Sequence, residues 1–517
     1  MKHKKTKIRV MLIVMCIIFV TTSISSFARE RDGGGRRNKK NKHRTERRWR
    51  WWDEEEDEDV DEDEDTIKDD TLDEDTTKED TSKKDTAKED TTTEDADNSN
   101  STVDTPTASE IENSTNNGDI GYKKVSESAS SAVASATVCS SASALSSAIN
   151  SAKAGSVIYV KGGSYSSVNL SINAQGSSSG YITIKNYPGE TVTFTNSTVE
   201  FGSSAKYIKL EGFIFKDYTP NDDWGACISL CGGASNIQIR NNEISNIKCR
   251  GTGEVGVNCI VLTGDSSSSI NNVTIENNYV YNCNTGWSEA ITTDGNVENC
   301  VIKNNTVDNT GNIGIDLCGN FSWTGTVGSD TNQSRNILVT KNKVMNCNSA
   351  YATSAGLYCD GGRDNTFSYN IVYNSQCGIE LGAEEKGADV KNFTVNNNII
   401  VNCGRAIGAG AYLSTGAKHY NTNVYDNTII CNETSKWGEN YAIYLERTTG
   451  FTFKNNVVYA KTSKTSFIET SGSASYTLSG NTWYVEGGNG SKPSADSTGV
   501  FKNPNIAGLD NMLKGIF

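Results

Sequence analysis

A short phrase recurs along the later two-thirds of the chain, and it restricts the available folds more than any other feature. The phrase is three or four residues that alternate between apolar and polar, then one or two asparagines, then a second short apolar run. It returns at intervals of roughly 25 to 37 residues. Its copies read YITIKN, IQIRNNEI, VTIENNYV, CVIKNNTV, ILVTKNKV, TFSYNIV, FTVNNNII, NVYDNTII, FTFKNNVV and YTLSGNTW. A repeat of this length predicts a solenoid, in which each unit packs on its neighbours.

The composition of the repeat predicts strands rather than helices. Short segments of period two, rich in β-branched residues, in a chain with only 5 prolines are typical of sheet. An asparagine at one turn of each coil tolerates a left-handed backbone there, and its amide can bond to the same asparagine one coil away. These asparagines are Asn186, Asn242, Asn278, Asn305, Asn342, Asn370, Asn398, Asn427, Asn456 and Asn481, and Gly212 fills the gap between the first two. We predict an all-β fold, a single-stranded right-handed parallel β-helix of about eleven coils with an asparagine ladder.

The two ends of the solenoid carry candidate caps. Leu145 and Ile149 lie four apart in ASALSSAINSAK, which predicts a short amphipathic helix over Ala142–Lys153. Such a helix would cover the open N-terminal end of the coils. The following GSVIYVKGGSY predicts a strand and a glycine turn, and NPNIAGLDNMLKGIF is expected to cover the C-terminal end.

The first residues of the chain predict export, and the segment after them is strongly basic. Residues 1–28 combine a basic start, an apolar run at Val10–Val20 and the small-residue cleavage pattern of Ser26-Phe27-Ala28, which indicates a signal peptide and a secreted protein. Residues 29–52 carry 11 Lys/Arg against 3 Asp/Glu and end in RRWRWW. This mixture of cations and indoles fits attachment to a cell wall or membrane surface, or an unstructured basic patch. Export excludes nucleic acid as the partner.

Residues 53–136 are predicted to be a disordered linker, acidic at first and then rich in Ser and Thr. Asp53–Asn98 carries 25 Asp/Glu against 5 Lys, so it repels itself and has little apolar surface to bury. The β-helix domain is therefore predicted over residues 137–517. We expect it to be a monomer.

Cysteine and histidine usage restricts the chemistry. The chain has 14 cysteines, of which Cys16 lies in the signal peptide, and most of the others recur one per repeat. This spacing fits buried thiols that act as small apolar residues. Of the 3 histidines only His419 lies in the predicted domain, which disfavours multi-histidine metal sites and most histidine-activated nucleophiles. No organic cofactor is expected.

A second strand in each coil places acidic residues in columns. The strands read EAITTDG, GIDLCG, GLYCDGG, GIELGAE, AIGAGAY and AIYLER. If the Ile or Leu points inward, the residues one and three positions later point outward. The first outward column is Thr292, Asp316, Tyr358, Glu380, Gly408 and Tyr444, and the second is Asp294, Cys318, Asp360, Gly382, Gly410 and Glu446. Stacking then gathers Asp294, Asp316, Asp360 and Glu380, which we predict as a catalytic and metal-binding cluster.

Several nearby residues complete the candidate site. Tyr358 and Tyr444 offer faces on which a sugar can stack, and Glu384 follows the strand that holds Glu380. Glu289 and Lys386 are candidate substrate contacts, although Glu289 has inward parity unless it lies in the turn before its strand. Arg363 follows the Gly361-Gly362 turn and is a candidate partner for a uronate carboxylate. The competing interpretation is a solvated strand face, where Asp and Glu are common.

The cap, GSVIYVKGGSY and YITIKNYPGETVTF resemble the N-terminal region of family 9 polysaccharide lyases and their bacterial relatives. The chain is similar, over about residues 137–517, to the pectin-lyase-like right-handed β-helix superfamily. The resemblance implies an aspartate cluster that binds calcium, here Asp294, Asp316 and Asp360, and a lysine base on the helix face. The sequence departs from that pattern, because Glu380 stands where the lyases place lysine.

Three functions follow. The first is β-elimination of an acidic, uronate-containing polysaccharide, with calcium. The second is glycoside hydrolysis by two of Asp316, Asp360 and Glu380, although the NTD, DD, HG and RIK set of β-helical polygalacturonases is missing. The third is glycan binding or adhesion without catalysis. We predict a polysaccharide-processing enzyme and leave the reaction type open.

Overall fold

The computed structural model describes residues 120–412, 416–432, 438–506 and 509. The predicted signal peptide, the basic segment and residues 53–119 of the predicted linker lie outside the described residues. Within them, parallel strands stack into three long sheets that together enclose one apolar core. The all-β parallel solenoid of about eleven coils is confirmed, since one of the sheets has 11 strands.

Sheet 1 has 15 strands and carries the repeat phrase. Its main path runs through Thr137–Cys139, Val157–Val160, Ile182–Asn186, Lys206–Glu211, Ser235–Arg240, Thr274–Glu276, Val301–Lys303, Leu338–Thr340, Thr366–Ser368, Thr394–Asn396, Asn423–Tyr425, Phe451–Lys454 and Tyr476–Ser479, with Ile270–Asn271 and Val297–Glu298 beside it. A separate sheet of 3 strands consists of Asp389–Lys391, Lys418–Tyr420 and Thr448–Thr449.

Sheets 2 and 3 complete each coil. Sheet 2 consists of Gly163–Ser166, Val192–Thr195, Phe213–Lys216, Glu243–Ser245, Tyr279–Cys283, Thr306–Thr310, Lys343–Cys347, Ile371–Tyr373, Ile399–Val401, Thr428–Cys431, Val457–Ala460, Thr482–Val485 and Val500–Phe501. Sheet 3 consists of Asn169–Ile172, Thr198–Phe201, Trp224–Cys231, Gly256–Gly264, Ile291–Gly295, Ile315–Leu317, Ala355–Asp360, Cys377–Ala383, Arg405–Ala411, Tyr441–Glu446 and Ser466–Ser471. Sheet 3 contains the predicted site.

The asparagine ladder is present from Asn242 to Asn481. Each Asn Oδ1 accepts hydrogen bonds from the backbone N–H and the side-chain amide of the preceding Asn, as between Asn278 and Asn305 at 2.9 and 3.0 Å. Asp496 ends the series by accepting from Asn481. Asn186 stands apart, because Gly212 occupies the next coil and the Asn186 amide bonds to the carbonyls of Tyr187 and Glu190 instead. The ladder satisfies polar groups that are fully buried.

One detail of the ladder prediction was wrong. The ladder asparagines do not adopt the left-handed backbone; the residue before each of them does, as at Asn277 and Asn304, with φ of 53° and 55°. Lys341 and Tyr369 fill the same position in other coils. In each coil of the ladder, therefore, the first of two adjacent residues makes the turn and the second carries the buried amide.

The predicted N-terminal cap is confirmed. The single described α-helix spans Ala142–Ser151, buries Leu145 and Ile149, and begins at Ser141, whose hydroxyl accepts from the Ala144 N–H. A 3-10 helix at Ala129–Ser131 precedes it. Ile506 and Leu509 are buried in a small apolar cluster beside several coils of sheet 2, with residues such as Ile371, Ile399 and Tyr459. A cover over the C-terminal end by the last residues stays a prediction. No helix in the described ranges is long and apolar enough to cross a membrane.

The last part of the predicted linker lies on the solenoid. Tyr122 stacks on Tyr279, with ring centroids 5.6 Å apart, and its hydroxyl donates to Glu243. The Gly121 N–H donates to the Lys341 carbonyl, and Glu127 pairs with Lys185 at 2.6 Å. Residues 120–136 therefore pack against coils that are far away in sequence.

The cysteines support the buried-thiol prediction. All 13 described cysteines are free, and Cys231 is the one among them that is not buried. Most lie in the main core, where they pack as small apolar residues.

Candidate active site

Sheet 3 stacks the first predicted column in register. Thr292 pairs with Asp316, Asp316 with Tyr358, and Tyr358 with Glu380. The column continues through Gly408 to Tyr444. The Ile and Leu residues beside it are fully buried in the main core. The sequence therefore predicted this column residue by residue.

The second column is regular only from Asp360 onward. Asp360, Gly382, Gly410 and Glu446 are successive partners. The strand of Asp316 ends at Leu317, so Cys318 leaves the register and bridges Gly361 instead. Asp294 pairs with Thr263 of the preceding coil. It is still held near the cluster, because Trp323 folds back and its Nε1 donates to Asp294 Oδ2 at 3.0 Å.

A third outward column was missed at the start of these strands. In each coil the small residue and the following Ile or Leu both face the core; Ala406 and Ile407, for example, are 2% and 0% exposed. The alternation is broken there, and the residue before the small one turns outward. Cys377 and Arg405 are partners in this column. Glu289 precedes Ala290 and lies before the strand Ile291–Gly295, which is the condition that the sequence set for its outward direction.

Glu380 is buried and tightly surrounded. Its residue is 3% exposed, and its Oε1 accepts from the Tyr412 hydroxyl and lies 3.7 Å from Arg405. Arg405 binds Glu439 through two hydrogen bonds of 2.9 and 2.8 Å. Glu380 Oε2 has no partner among the described residues. It lies where a Cβ on Gly408 would stand, so only glycine leaves room for this carboxylate.

Two opposing effects act on the pKa of Glu380. Burial raises the pKa of Glu380 to about 7, and the positive charge of Arg405 opposes the rise. The carboxyl group therefore exchanges its proton near neutral pH while remaining paired with a permanent cation.

Asp316 and Asp360 are neighbours under different influences. The Asp360 N–H donates to Asp316 Oδ1 at 3.3 Å. Asp360 is 8% exposed and Asp316 is 2% exposed. Burial raises the pKa of Asp316 to about 7. Burial, and then the charges of Glu384 and Asp316, raise the pKa of Asp360 well above its usual range. Asp360 therefore releases its proton less readily than an exposed aspartate.

Glu289 and Asp294 extend the acidic cluster toward the preceding coil. Burial and then the charge of Asp316 raise the pKa of Glu289 to about 8, and Asn258 donates to Glu289 Oε2 at 3.1 Å. Burial raises the pKa of Asp294 to about 6, and the bond from Trp323 opposes this. Glu289 belongs to the cluster that the sequence proposed.

The other candidates lie in different places. Glu384 is at the exposed rim and accepts from the Tyr358 hydroxyl, so these two join the cluster. Lys386 is exposed at the same rim. The Tyr444 ring lies 4.3 Å below the Arg405 guanidinium, and its hydroxyl donates to Glu446. Arg363 does not join them: it pairs with Asp364 and donates to the Asp330 carbonyl at 2.8 Å.

Two aromatic pairs lie in the segments that flank the strands of sheet 3, and Trp323 of one pair bonds to Asp294. Phe321 and Trp323 stack with centroids 4.0 Å apart, and Trp287 stacks on Tyr351 at 5.7 Å. Trp323 is 67% exposed even though one face of its ring stacks on Phe321. These four residues, with Arg405, Tyr412 and Glu439, are the site residues that the columns did not predict. Most of them lie in insertions between strands, where no periodicity exists to align.

A calcium site was expected at Asp294, Asp316 and Asp360. Across the described ranges no three His, Cys, Asp or Glu side chains are close enough together to hold a metal ion. Asp294 Oδ1 is buried without a partner there, but Asp316 Oδ1 is turned to the Asp360 backbone. The three carboxylates as arranged do not form a ligand set, and we derive no step through calcium.

Comparison with known proteins agrees with this architecture. A family model described as "Right handed beta helix region" matches residues 318–429, and one described as "Chondroitinase B" matches residues 139–229. Protein YwoF of Bacillus subtilis (strain 168), described as uncharacterized, is 27% identical over 334 residues, which are 60% of this chain and 69% of YwoF.

Solved structures of similar fold include carbohydrate-active enzymes. A PL6 family polysaccharide lyase from Pseudopedobacter saltans is 16% identical, with a TM-score of 0.46 over 71% of this chain and 96% of that one. The catalytic domain of a GH87 alpha-1,3-glucanase is 14% identical, with a TM-score of 0.49 over 75% of this chain and 68% of that one. At these identities the likeness concerns the fold.

Proposed function

We propose that the protein is a polysaccharide-processing enzyme that hydrolyses a glycosidic bond on the outer face of sheet 3. The observation that carries the proposal is the contrast between two carboxyl groups on adjacent strands. Burial and the charges of Glu384 and Asp316 raise the pKa of Asp360, whereas the charge of Arg405 opposes the rise in the pKa of Glu380. Two carboxyl groups with different proton affinities are what glycoside hydrolysis requires.

The spacing of the two groups suits the reaction. Asp360 pairs with Gly382, so Glu380 lies one strand away and two residues along. Strand spacing and rise place the two backbones about 8 Å apart. Carboxyl groups on such backbones reach the roughly 5 to 9.5 Å separations used by glycoside hydrolases.

The roles follow from the proton affinities. Asp360 donates its proton to the leaving oxygen, and the charge of Asp316 keeps that proton in place beforehand. Glu380 acts as base or nucleophile, because Arg405 and the Tyr412 hydroxyl stabilise its ionised form. Glu289 and Asp294 lie on the preceding coil, where they can accept hydrogen bonds from sugar hydroxyls.

Elimination on a uronate is the second candidate. It is favoured by the Tyr412 hydroxyl, which bonds to Glu380 and could relay a proton as the base. Elimination is disfavoured because no lysine base is in place at the site among the described residues. Within the described ranges the lysines that form ion pairs do so with other acidic residues, and none forms an ion pair with a carboxylate of the site. A lysine base would have to come from Lys386 at the rim.

Export belongs to the proposal as well. The signal peptide predicted over residues 1–28 places the reaction outside the cell, and the charged segments up to residue 119 would tether the domain to a surface. N-terminal sequencing of the mature protein from the culture medium, or from washed cell walls, tests both statements. A mature chain that starts at Met1 in the cytoplasm would contradict them.

Activity measurements on matched variants test the reaction. The protein is incubated with pectate, alginate and a panel of neutral cell-wall glycans, with and without EDTA. We expect new reducing ends that persist in EDTA and a more than hundredfold loss in Asp360→Asn and Glu380→Gln. Glu200→Gln is the control, since Glu200 is an exposed carboxylate in the same column of the same sheet, reached through Ser229 and Val261. Full rates in both site variants would contradict the proposal, and an EDTA-sensitive unsaturated product would favour elimination.

A further inference from the structure

The charges on the outer face of sheet 3 are strongly unbalanced. The acidic side chains on and beside the middle strands of this face are Glu289, Asp294, Asp316, Asp360, Glu380, Glu384, Glu385, Glu439 and Glu446, and Glu200 and Glu469 lie in the same column on outer strands. The guanidinium of Arg405 is already engaged by Glu380 and Glu439. The guanidinium of Arg447 is engaged by Glu446 and by the carbonyls of Ala411 and Tyr412. Among the residues that the structure describes around this face, Lys386 is the remaining cation, and it follows Glu384 and Glu385 directly.

Such a face is poorly suited to a chain of uronates. Each uronate carries a carboxylate, which would add a negative charge beside carboxyl groups whose own ionisation is already disfavoured by burial. A cation-binding set of three carboxylates could reverse this, but the described residues contain none. Proteins that recognise carboxylates usually present arginine in its two-pronged geometry, and here both nearby arginines are bound by the protein itself.

The aromatic side chains supply the complementary surface. Trp323 is 67% exposed and Tyr351 36%, and each is supported from behind by a stacked partner, Phe321 and Trp287. Trp224, on an earlier strand of sheet 3, is 56% exposed. The flat apolar faces of sugar rings stack on such side chains, while carboxylates accept hydrogen bonds from sugar hydroxyls. Glu380 Oε2, buried and without a partner in the described ranges, is an acceptor of this kind.

We infer that the substrate is an uncharged glycan, whose rings stack on Trp323 and Tyr351 and whose hydroxyls are bound by the carboxylates of sheet 3. The inference rests on the proposed function, since it concerns the same site. It differs from the acidic substrate that the family resemblance implies.

Matched pairs of polymers test the inference. Binding of the whole mature protein is measured on an array of neutral and acidic plant and microbial glycans, and on pectate and alginate beside their carboxyl-reduced forms. The reduced form has the same linkage without the charge. We expect the bound glycans to be neutral, and each reduced polymer to bind at least tenfold more tightly than its parent.

Aromatic variants locate the binding surface. Trp323→Ala should weaken binding by at least tenfold, whereas Trp323→Phe, which keeps a stacking ring and loses the bond to Asp294, should retain most of it. Tyr369→Ala is the control, because Tyr369 is 38% exposed at the turn between sheets 1 and 2. Equal losses in Trp323→Ala and Tyr369→Ala would overturn the assignment.

The results also separate this inference from the proposed reaction. Binding of neutral glycans without any cleavage supports the substrate class and contradicts the hydrolysis. Cleavage of pectate or alginate faster than of the reduced forms overturns the substrate class and leaves an enzyme in place. Retention of no glycan from the array overturns the inference.

Discussion

The Arg405 guanidinium binds Glu439 through two hydrogen bonds and lies 3.7 Å from Glu380 Oε1. One cation thus holds two buried or partly buried carboxylates in place. Its side chain is 6% exposed, so water screens this arrangement little. The relationship leads to a first prediction about stability and activity.

Arg405→Ala should lower the free energy of unfolding by about 3–5 kcal/mol, because it leaves the Glu380 charge buried without a partner. The substitution should also raise the pKa of Glu380 further. The limb of the pH–rate profile that reports ionisation of Glu380 should therefore move to higher pH. Arg405→Lys is the matched variant: it keeps the charge but loses the two-pronged bond to Glu439, so its effect should be intermediate. Urea unfolding checks the first statement, and unchanged unfolding of Arg405→Ala would contradict it.

Gly408→Ala should reduce activity by more than tenfold while the protein remains folded. The added methyl group would clash with Glu380 Oε2, so the carboxylate must move. Gly251→Ala is the control, because nothing lies within 4 Å of a Cβ built there. Circular dichroism confirms folding and reducing-end assays give the rates. Equal activity in both variants would show that the position of the Glu380 carboxylate is unimportant.

Stability should fall as the pH rises from about 4 to about 8. Burial raises the pKa of Asp316 and Glu380 to about 7 and that of Glu289 to about 8, so the native state binds these protons more tightly than the unfolded chain. The native advantage is complete below the ordinary carboxyl pKa and is lost as pH passes the raised values. Over this range the free energy of unfolding should drop by more than about 2 kcal/mol.

The double variant Asp316→Asn, Glu380→Gln isolates the source of this dependence. It removes two of the raised carboxyl groups and should flatten most of the slope. Urea titrations at about four pH values are sufficient for the comparison. A stability that increases with pH between about 4 and 8 would contradict the assignment of raised pKa values.

Asn305→Ala should destabilise the β-helix by about 2–4 kcal/mol. It removes the acceptor for the Asn278 N–H and side-chain amide and the donor to the Ile275 carbonyl, all fully buried. Asn489→Ala, at an exposed position in the C-terminal region, serves as the control and should change stability by less than about 0.5 kcal/mol. Similar unfolding midpoints for both variants would mean that the ladder contributes little.

The regular part of the site could be predicted from the sequence because the coils repeat. Asp316, Tyr358 and Glu380 follow an inward Ile or Leu by one position, and parallel pairing then stacks them without further information. The fold class followed for the same reason. Periodicity predicts the coil and the direction of every residue that lies within a strand of regular alternation.

The irregular part could not be predicted in the same way. Arg405 has inward parity, and it faces the site only because Ala406 and Ile407 both enter the core. Trp323 and Tyr412 lie beyond strand ends, where their direction depends on tertiary contacts. Arg363 turns away because Asp330, in the insertion after Cys318, attracts it. The small residue before every inward Ile or Leu was the one visible signal of the broken alternation.

That pair of inward residues places the residue before it on the outer face of sheet 3, outside the main core. Glu289, Cys377, Arg405 and Tyr441 occupy this position with acidic, thiol, basic and aromatic groups. The chemistry of the face can therefore differ from coil to coil while the stacked backbone stays the same. Each side chain is nevertheless fitted to its own neighbours, because Arg405 pairs with Glu380 and Cys377 is fully buried.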